Sequence, residues 1–332
     1  WLVTTDLSQQ EPLLKALPSS ALFRDFCASL EQKLPHLWRS GKATRVCKDE
    51  STGKYRVHYT STADGRELKV VARAVILATG PVGKWNVPRP FVPHLASGRV
   101  LHTEEMLTEG GGTLREEITK RCREHGRDES GESGARTGAR ARVLVVGGGI
   151  SAAQAALAAY HAGHEVVLRS RRRLRTRAFD IASEWLDMRH QSRLRFEFLS
   201  LPVEKRHEAV REATSGGSVP ASYMEELHQL AESSGRMRLE IDEDVDLSDV
   251  RVDAAAESVL VNGHAFEMVI LATGVVTEPL CSPLYRSVQN MLDAPSVDGL
   301  PLVDSRLRWS PEEDVFVLGA NALLELGPGG SN

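Results

Sequence analysis

The run Val143-Leu-Val-Val-Gly147-Gly148-Gly149-Ile150-Ser151-Ala152 constrains this chain more than any other stretch. Four apolar residues lead into a G-x-G-x-x-A turn, and an alanine-rich segment follows to about His161. A second apolar strand, Glu165 to Leu168, comes next, so the whole reads as strand, glycine turn, helix, strand. In such a βαβ unit each small residue has its own task. Gly147 permits the tight turn, Gly149 lets the backbone approach a pyrophosphate, and Ala152 keeps helix and strand close. The free N–H groups at the start of the helix, and its dipole, favour an anion there. The expectation is an α/β fold with a Rossmann-like dinucleotide-binding domain, in which Gly147, Gly148, Gly149, Ile150, Ser151 and Ala152 bind the cofactor.

The end of the second strand selects the nucleotide. An NAD site places Asp or Glu there for the ribose 2′-hydroxyl. This chain instead runs Leu168-Arg169-Ser170-Arg171-Arg172-Arg173, with no acid. Guanidinium groups suit a 2′-phosphate through bidentate, charge-assisted bonds. Arg169, Ser170 and Arg171 are therefore expected to meet the adenosine end of NADPH. A basic surface run is the plain alternative, since six arginines between Arg169 and Arg177 exceed the needs of one phosphate.

Composition narrows the class further. At 332 residues and 41% hydrophobic, the chain can form two ordinary cores, so two domains are expected. The net charge of -4 offers no positive field for nucleic acid. The most apolar run, Val143 to Ala159, is broken by three glycines, Ser151 and Gln154, so no membrane span is expected. Four cysteines without C-x-x-C or metal spacing argue against a disulfide scaffold, a metal site or a dithiol redox centre. A reducing, cytoplasmic setting is the default. The sequence begins at Trp1 rather than methionine, which leaves open that it is a piece of a longer chain.

Apolar spacing predicts a helix over Ser20 to Leu34, a hairpin from Arg56 to Thr60 and Glu67 to Val71, and a strand from Ala74 to Leu77. Thr108 to Arg140 carries seven glycines and fourteen charged residues in 33, with Leu114 and Ile118 as its only large aliphatics. It reads as a flexible linker with room for a short helix over Leu114 to Glu124. Further on, helices are expected at Ala178 to His190 and Ala221 to Ser233, and a strand near Arg238 to Ile241. Asn262-Gly263 predicts a hairpin between Ser258-Val261 and Ala265-Leu271. The last strand, Val315 to Leu318, runs into Gly319.

Two strands end in the same triplet, Ala78-Thr79-Gly80 and Ala272-Thr273-Gly274, and they bracket the βαβ unit. The chain then leaves one nucleotide-binding domain, builds a second and returns. In these features it resembles two-dinucleotide-domain flavoproteins that use FAD and NADPH, above all flavin-containing and N-hydroxylating monooxygenases and their bacterial relatives. Gly98-Arg-Val-Leu-His102 resembles the G-x-x-x-H core of the monooxygenase fingerprint, with Ala96 and Met106 at its aromatic positions. Arg177-Ala-Phe179-Asp180, Trp185-Leu-Asp187 and Ser215-Gly216-Gly217-Ser218-Val-Pro220 resemble stretches of the bacterial relatives. Val315-Phe-Val-Leu-Gly319, followed by Leu326-Gly327-Pro328, resembles the family's C-terminal FAD segment.

The resemblance implies two Rossmann-like domains, the NADPH domain inserted into an FAD domain. The expected limits are 1–107 for the first part of the FAD domain, 108–140 for the linker, 141–263 for the NADPH domain and 264–332 for the return. It also implies that Ala78, Thr79, Gly80, Ala272, Thr273, Gly274, Gly319, Leu326, Gly327 and Pro328 border the cofactors. His102 is the only catalytic candidate, and Trp85 and Asn86 are candidates for the flavin pocket. Trp185 is expected to be core. The family's first βαβ unit, which holds the FAD pyrophosphate, has no counterpart here, so a truncated member is expected. Ala320 stands where many relatives carry aspartate. The implied reaction passes hydride from NADPH to flavin and then oxygenates a small-molecule substrate. A flavin reductase without oxygenation and a non-catalytic nucleotide-binding relative are the alternatives, and homo-oligomerisation is left open.

Overall fold

In the computed structural model of the chain, the described residues are 20–33, 39–109, 114–125, 140–214, 217–241, 247 and 249–331. The chain divides into two units, one of Trp1–Lys84, Ile181–Thr214 and Val276–Asn332, the other of Trp85–Asp180 and Ser215–Val275. Among the described residues no helix is long and apolar enough to cross a membrane.

The second unit is built on a five-stranded parallel sheet. Its order is Val100–His102, Met268–Leu271, Arg142–Val146, Glu165–Ser170, Met237–Ile241. Strands buried on both faces read as continuous apolar runs, and here their alternation decides which layer each side chain joins. Val143, Val145, Leu168 and Ile270 point into one core with Ala152, Ala156, Leu227 and Ile118. Leu144, Val146, Val167, Val269 and Leu271 point into the other, with Val259, Val261, Phe266 and Phe91. Helices Ile150–His161 and Ala221–Ser233 belong to the first face. The antiparallel sheet of Val250–Asp253, Ser258–Val261 and His264–Phe266 belongs to the second.

The segment expected as a linker contains a helix, Leu114–His125. Its one large central aliphatic, Ile118, is fully buried in the core that also holds the Ile150–His161 alanines. The residues on either side of this helix, 110–113 and 126–139, lie outside the described residues.

The first unit holds the predicted hairpin as part of a three-stranded antiparallel sheet, Gly41–Asp49, Lys54–Ser61 and Glu67–Ala72. Val75–Leu77 and Val315–Val317 form a parallel pair. The core joins Val46, Tyr55, Leu77, Val315 and Trp309 to Leu284, Tyr285 and Val288 of the helix Pro283–Leu292. The predicted helix near the N-terminus is present as Ser20–Lys33.

Two expected elements differ. The helix expected over Ala178 to His190 is a short 3₁₀ turn, Ser183–Trp185, followed by a helix at Met188–Leu199. The Asp187 carboxylate starts that helix by accepting from the Arg189 N–H at 3.0 Å. The run Ala265–Leu271 is two strands rather than one. His264–Phe266 completes the hairpin, and Met268–Leu271 enters the parallel sheet. The stretch Ile181–Thr214 groups with the first unit because Phe198 and Val210 pack against Leu323.

Candidate dinucleotide-binding site

Because all five strands of the second unit's large sheet are parallel, their carboxyl ends share one edge, where ligands of open α/β sheets bind. Along that edge stand His102, Ala272-Thr273-Gly274, Gly147 and Arg169-Ser170, in the order of the strands that carry them.

Gly147 has φ +154, and a Cβ there would lie 2.2 Å from the Ala272 carbonyl oxygen. The first glycine is therefore required by close approach of the neighbouring strand's exit as much as by the turn. A Cβ on Gly148 would lie 2.6 Å from the Ser170 hydroxyl. Gly149 caps the helix Ile150–His161 without a side chain, so the N–H groups of Ile150 and Ser151 precede the first intrahelical bond with no side-chain cap. Ala152 is fully buried against Gly147, as its fingerprint role requires.

A residue from a distant loop closes on this turn. Gly217 has φ +67, and a Cβ on it would come within 2.9 Å of the Gly148 carbonyl oxygen and 3.0 Å of the Gly149 Cα. Its loop is held by the neighbouring Val219, which exchanges backbone bonds with Arg175 and Arg177, and by Ser218, whose hydroxyl donates to Asp180 at 2.5 Å. The sequence had offered a Gly-Gly pair at this point, but not which glycine would touch the fingerprint; Ser215 and Gly216 lie outside the described residues.

The arginine run separates into two kinds. Arg169 is buried, and its guanidinium donates twice to one Glu240 oxygen, at 2.8 and 2.5 Å, across to the next strand. Ser170 is also buried, with its hydroxyl donating to the Arg172 carbonyl at 2.7 Å. Arg171, Arg172 and Arg173 are exposed. Arg169 thus faces Glu240, and the solvent-facing guanidiniums at this strand end belong to the residues that follow.

At the other side of the glycine turn, His102 is fully buried. Gly98 explains the spacing of the G-x-x-x-H match: it takes a left-handed conformation to end the turn Arg89–Ser97, and the strand that follows ends at His102. The imidazole Nδ1 accepts from the Glu104 N–H at 3.3 Å, and Nε2 lies 3.5 Å from the Thr273 hydroxyl. Burial holds the His102 pKa below the ordinary histidine value, against a weaker opposing bond to the Gly274 backbone, so the ring is neutral at pH 7. The Trp85 ring is parallel to it, with planes 3° apart and centroids at 5.5 Å. Asn86 ties this corner to the second Ala-Thr-Gly: its N–H donates to Gly274, its side-chain amide to the Thr273 carbonyl, and its own carbonyl accepts from the Thr273 hydroxyl.

In the first unit, the Val75–Leu77 and Val315–Val317 pair brings Ala78-Thr79-Gly80 and Gly319 to the same end. Buried Asn321 organises it, donating to the Gly80 carbonyl at 2.7 Å, the Tyr285 hydroxyl at 2.8 Å and the Thr79 hydroxyl at 3.3 Å. Sequence reading missed Asn321 and Tyr285. Leu326-Gly327-Pro328 follows in the same unit, with Leu326 packed on the core that holds this strand pair, and Gly327 (φ +76) leaves room for Trp185: a Cβ would meet its ring at 3.0 Å. Trp185 is thus packed, edge-on to Phe198. The residues present fit NADPH in the second unit, through the glycine cradle and the uncapped helix start. Among the described residues the first unit contains no second turn of the Gly147–Ala152 kind.

A model of the L-lysine 6-monooxygenase/L-ornithine 5-monooxygenase family matches residues 13–275. No curated protein matches the chain in sequence. Among solved structures, the cadaverine monooxygenase of desferrioxamine biosynthesis from Erwinia amylovora, bound to FAD, is 19% identical with a TM-score of 0.71, over 98% of this chain and 74% of its own. Ornithine hydroxylase from Pseudomonas aeruginosa is 17% identical with a TM-score of 0.68, over 98% and 76%. The ornithine N-hydroxylase of Kutzneria sp. 744, with reduced FAD, NADP⁺ and L-ornithine, is 15% identical with a TM-score of 0.61, over 98% and 79%.

Proposed function

The chain belongs to the L-lysine 6-monooxygenase/L-ornithine 5-monooxygenase family, and from that premise we propose that it is an FAD- and NADPH-dependent enzyme that hydroxylates the terminal nitrogen of a small aliphatic amine. The observation that carries this reading is the glycine turn of Gly147–Ala152 inside the family-matched span, set beside a strand end that carries arginines and no acid. Two of the similar structures hold FAD, and one of these also holds NADP⁺ with L-ornithine.

Gly147, Gly148, Gly149 and the N–H groups of Ile150 and Ser151 receive the NADPH pyrophosphate. Arg171, with Arg172 and Arg173 beside it, receives the 2′-phosphate through charge-assisted bonds. Ala272, Thr273 and Gly274 border the far half of the dinucleotide, and the neutral His102 imidazole adds no charge there. Ala78, Thr79, Gly80 and Gly319 hold the flavin end of FAD, and Leu326, Gly327 and Pro328 complete that segment as the resemblance assigns them. The bound flavin supplies hydride acceptance and oxygen activation, which no side chain can provide.

The test is oxidation of NADPH by the chain with added FAD in air, with L-lysine, L-ornithine or cadaverine present. The expected result is amine-dependent NADPH consumption matched by a hydroxylamine product. Consumption that is indifferent to every amine and yields no hydroxylamine would contradict the proposal.

A further inference from the structure

The carboxyl edge of the parallel sheet gives a bound dinucleotide a direction. The exposed arginines Arg171, Arg172 and Arg173 follow the strand on one side of Gly147. On its other side come Met268–Leu271 and then Val100–His102. With the phosphorylated ribose held by the arginines and the pyrophosphate at the glycines, the second ribose and its base extend over those two strand ends. Two strand spacings amount to about 10 Å, a span that a ribose and a pyridine ring cover.

Trp85 stands at the end of that path. One edge of the residue is anchored: its carbonyl accepts from the Val87 N–H at 2.9 Å, and the next residue, Asn86, bonds three times to Thr273 and Gly274. Its ring lies parallel to the buried His102 ring, which the Glu104 N–H holds in place. Yet Trp85 remains 43% exposed, on an anchored backbone and beside a buried, hydrogen-bonded imidazole. An aromatic ring fixed in this way and left open presents a flat surface at little entropic cost, since its rotamer is already restricted.

We infer that Trp85, aligned on His102, is the stacking platform for the nicotinamide ring of NADPH. The inference rests on the placement of NADPH across Gly147–Ala152 and assigns the opposite end of the ligand. Trp85 is then a positioning residue: it sets where the nicotinamide plane lies and takes no proton.

The test compares NADPH with 2′,5′-ADP, which keeps the phosphorylated ribose and lacks the nicotinamide, by calorimetric titration of the full chain. Trp85→Ala should weaken NADPH binding about fivefold and leave 2′,5′-ADP binding unchanged, and Trp85→Phe should restore most of the NADPH affinity. Equal NADPH affinity in wild type and Trp85→Ala, or equal weakening for both ligands, would overturn the inference while leaving the dinucleotide site standing. Failure of the wild-type chain to bind either ligand would overturn the site itself and the inference with it.

Discussion

Gly147 and Gly217 meet the same turn from two places in the sequence, and only one of them is legible there. Gly147 sits in a local pattern that announces it, although the Ala272 carbonyl that also excludes a side chain there belongs to a distant strand. Gly217 acts through a contact with Gly148 and Gly149 almost seventy residues away, and no local signal states that contact. Arg169 teaches the same lesson in reverse. Its place at the strand end suggested a phosphate ligand, but its partner is Glu240, which only the register of the next strand brings opposite. Gly217→Ala adds a methyl group where the Gly148 oxygen is 2.9 Å away, at φ +67, where an L side chain is itself strained. The expected outcome is a loss of about tenfold or more in NADPH affinity, as the loop backs away and disturbs the cradle, with a stability cost on the order of 1–2 kcal/mol. Titration and denaturant melts of the variant check both. Unchanged NADPH affinity would show that the loop does not shape the site.

At the scale of elements, the strands and the first helix of the βαβ unit were readable because a continuous apolar run, a glycine turn and an alanine-rich segment are local properties. The helix Leu114–His125 was readable only as a bare option. Its sequence is highly charged and flanked by glycines, and among its described side chains the one large buried apolar group is Ile118. The split of Ala265–Leu271 into two strands was hidden because the stretch is apolar throughout except at Glu267. The division falls at Glu267, whose carboxylate accepts from the Arg142 N–H at 2.6 Å and whose carbonyl accepts from Arg99. Ile118→Ala removes a fully buried side chain from the core shared with the Ile150–His161 helix. It should destabilise the chain by about 3 kcal/mol, read as a lower denaturation midpoint. A midpoint within error of wild type would mean that this helix is not docked.

Over the whole molecule, the two Ala-Thr-Gly triplets turned out to be comparable in position and different in use. Each ends a strand of a parallel ladder. The first is pinned by Asn321 and Tyr285, residues that arrive from the C-terminal quarter of the chain. The second is pinned by Asn86, from the segment just beyond the first. The repeat told of two nucleotide domains, and the polar residues that hold each copy were beyond it, because they are single residues in unremarkable contexts. Family membership joins these features to amine hydroxylation, and the proposed selection of NADPH by the acid-free strand end is the step on which the rest depends.

That step is tested by titrating the chain with NADPH and NADH side by side, then repeating both with Arg171→Glu combined with Arg172→Glu. Wild type should bind NADPH at least about tenfold more tightly than NADH, the value of one charge-assisted phosphate contact. The double variant should lose that preference while its NADH affinity stays within about twofold. Equal affinity for both nucleotides in wild type, or equal loss of both in the variant, would contradict the account.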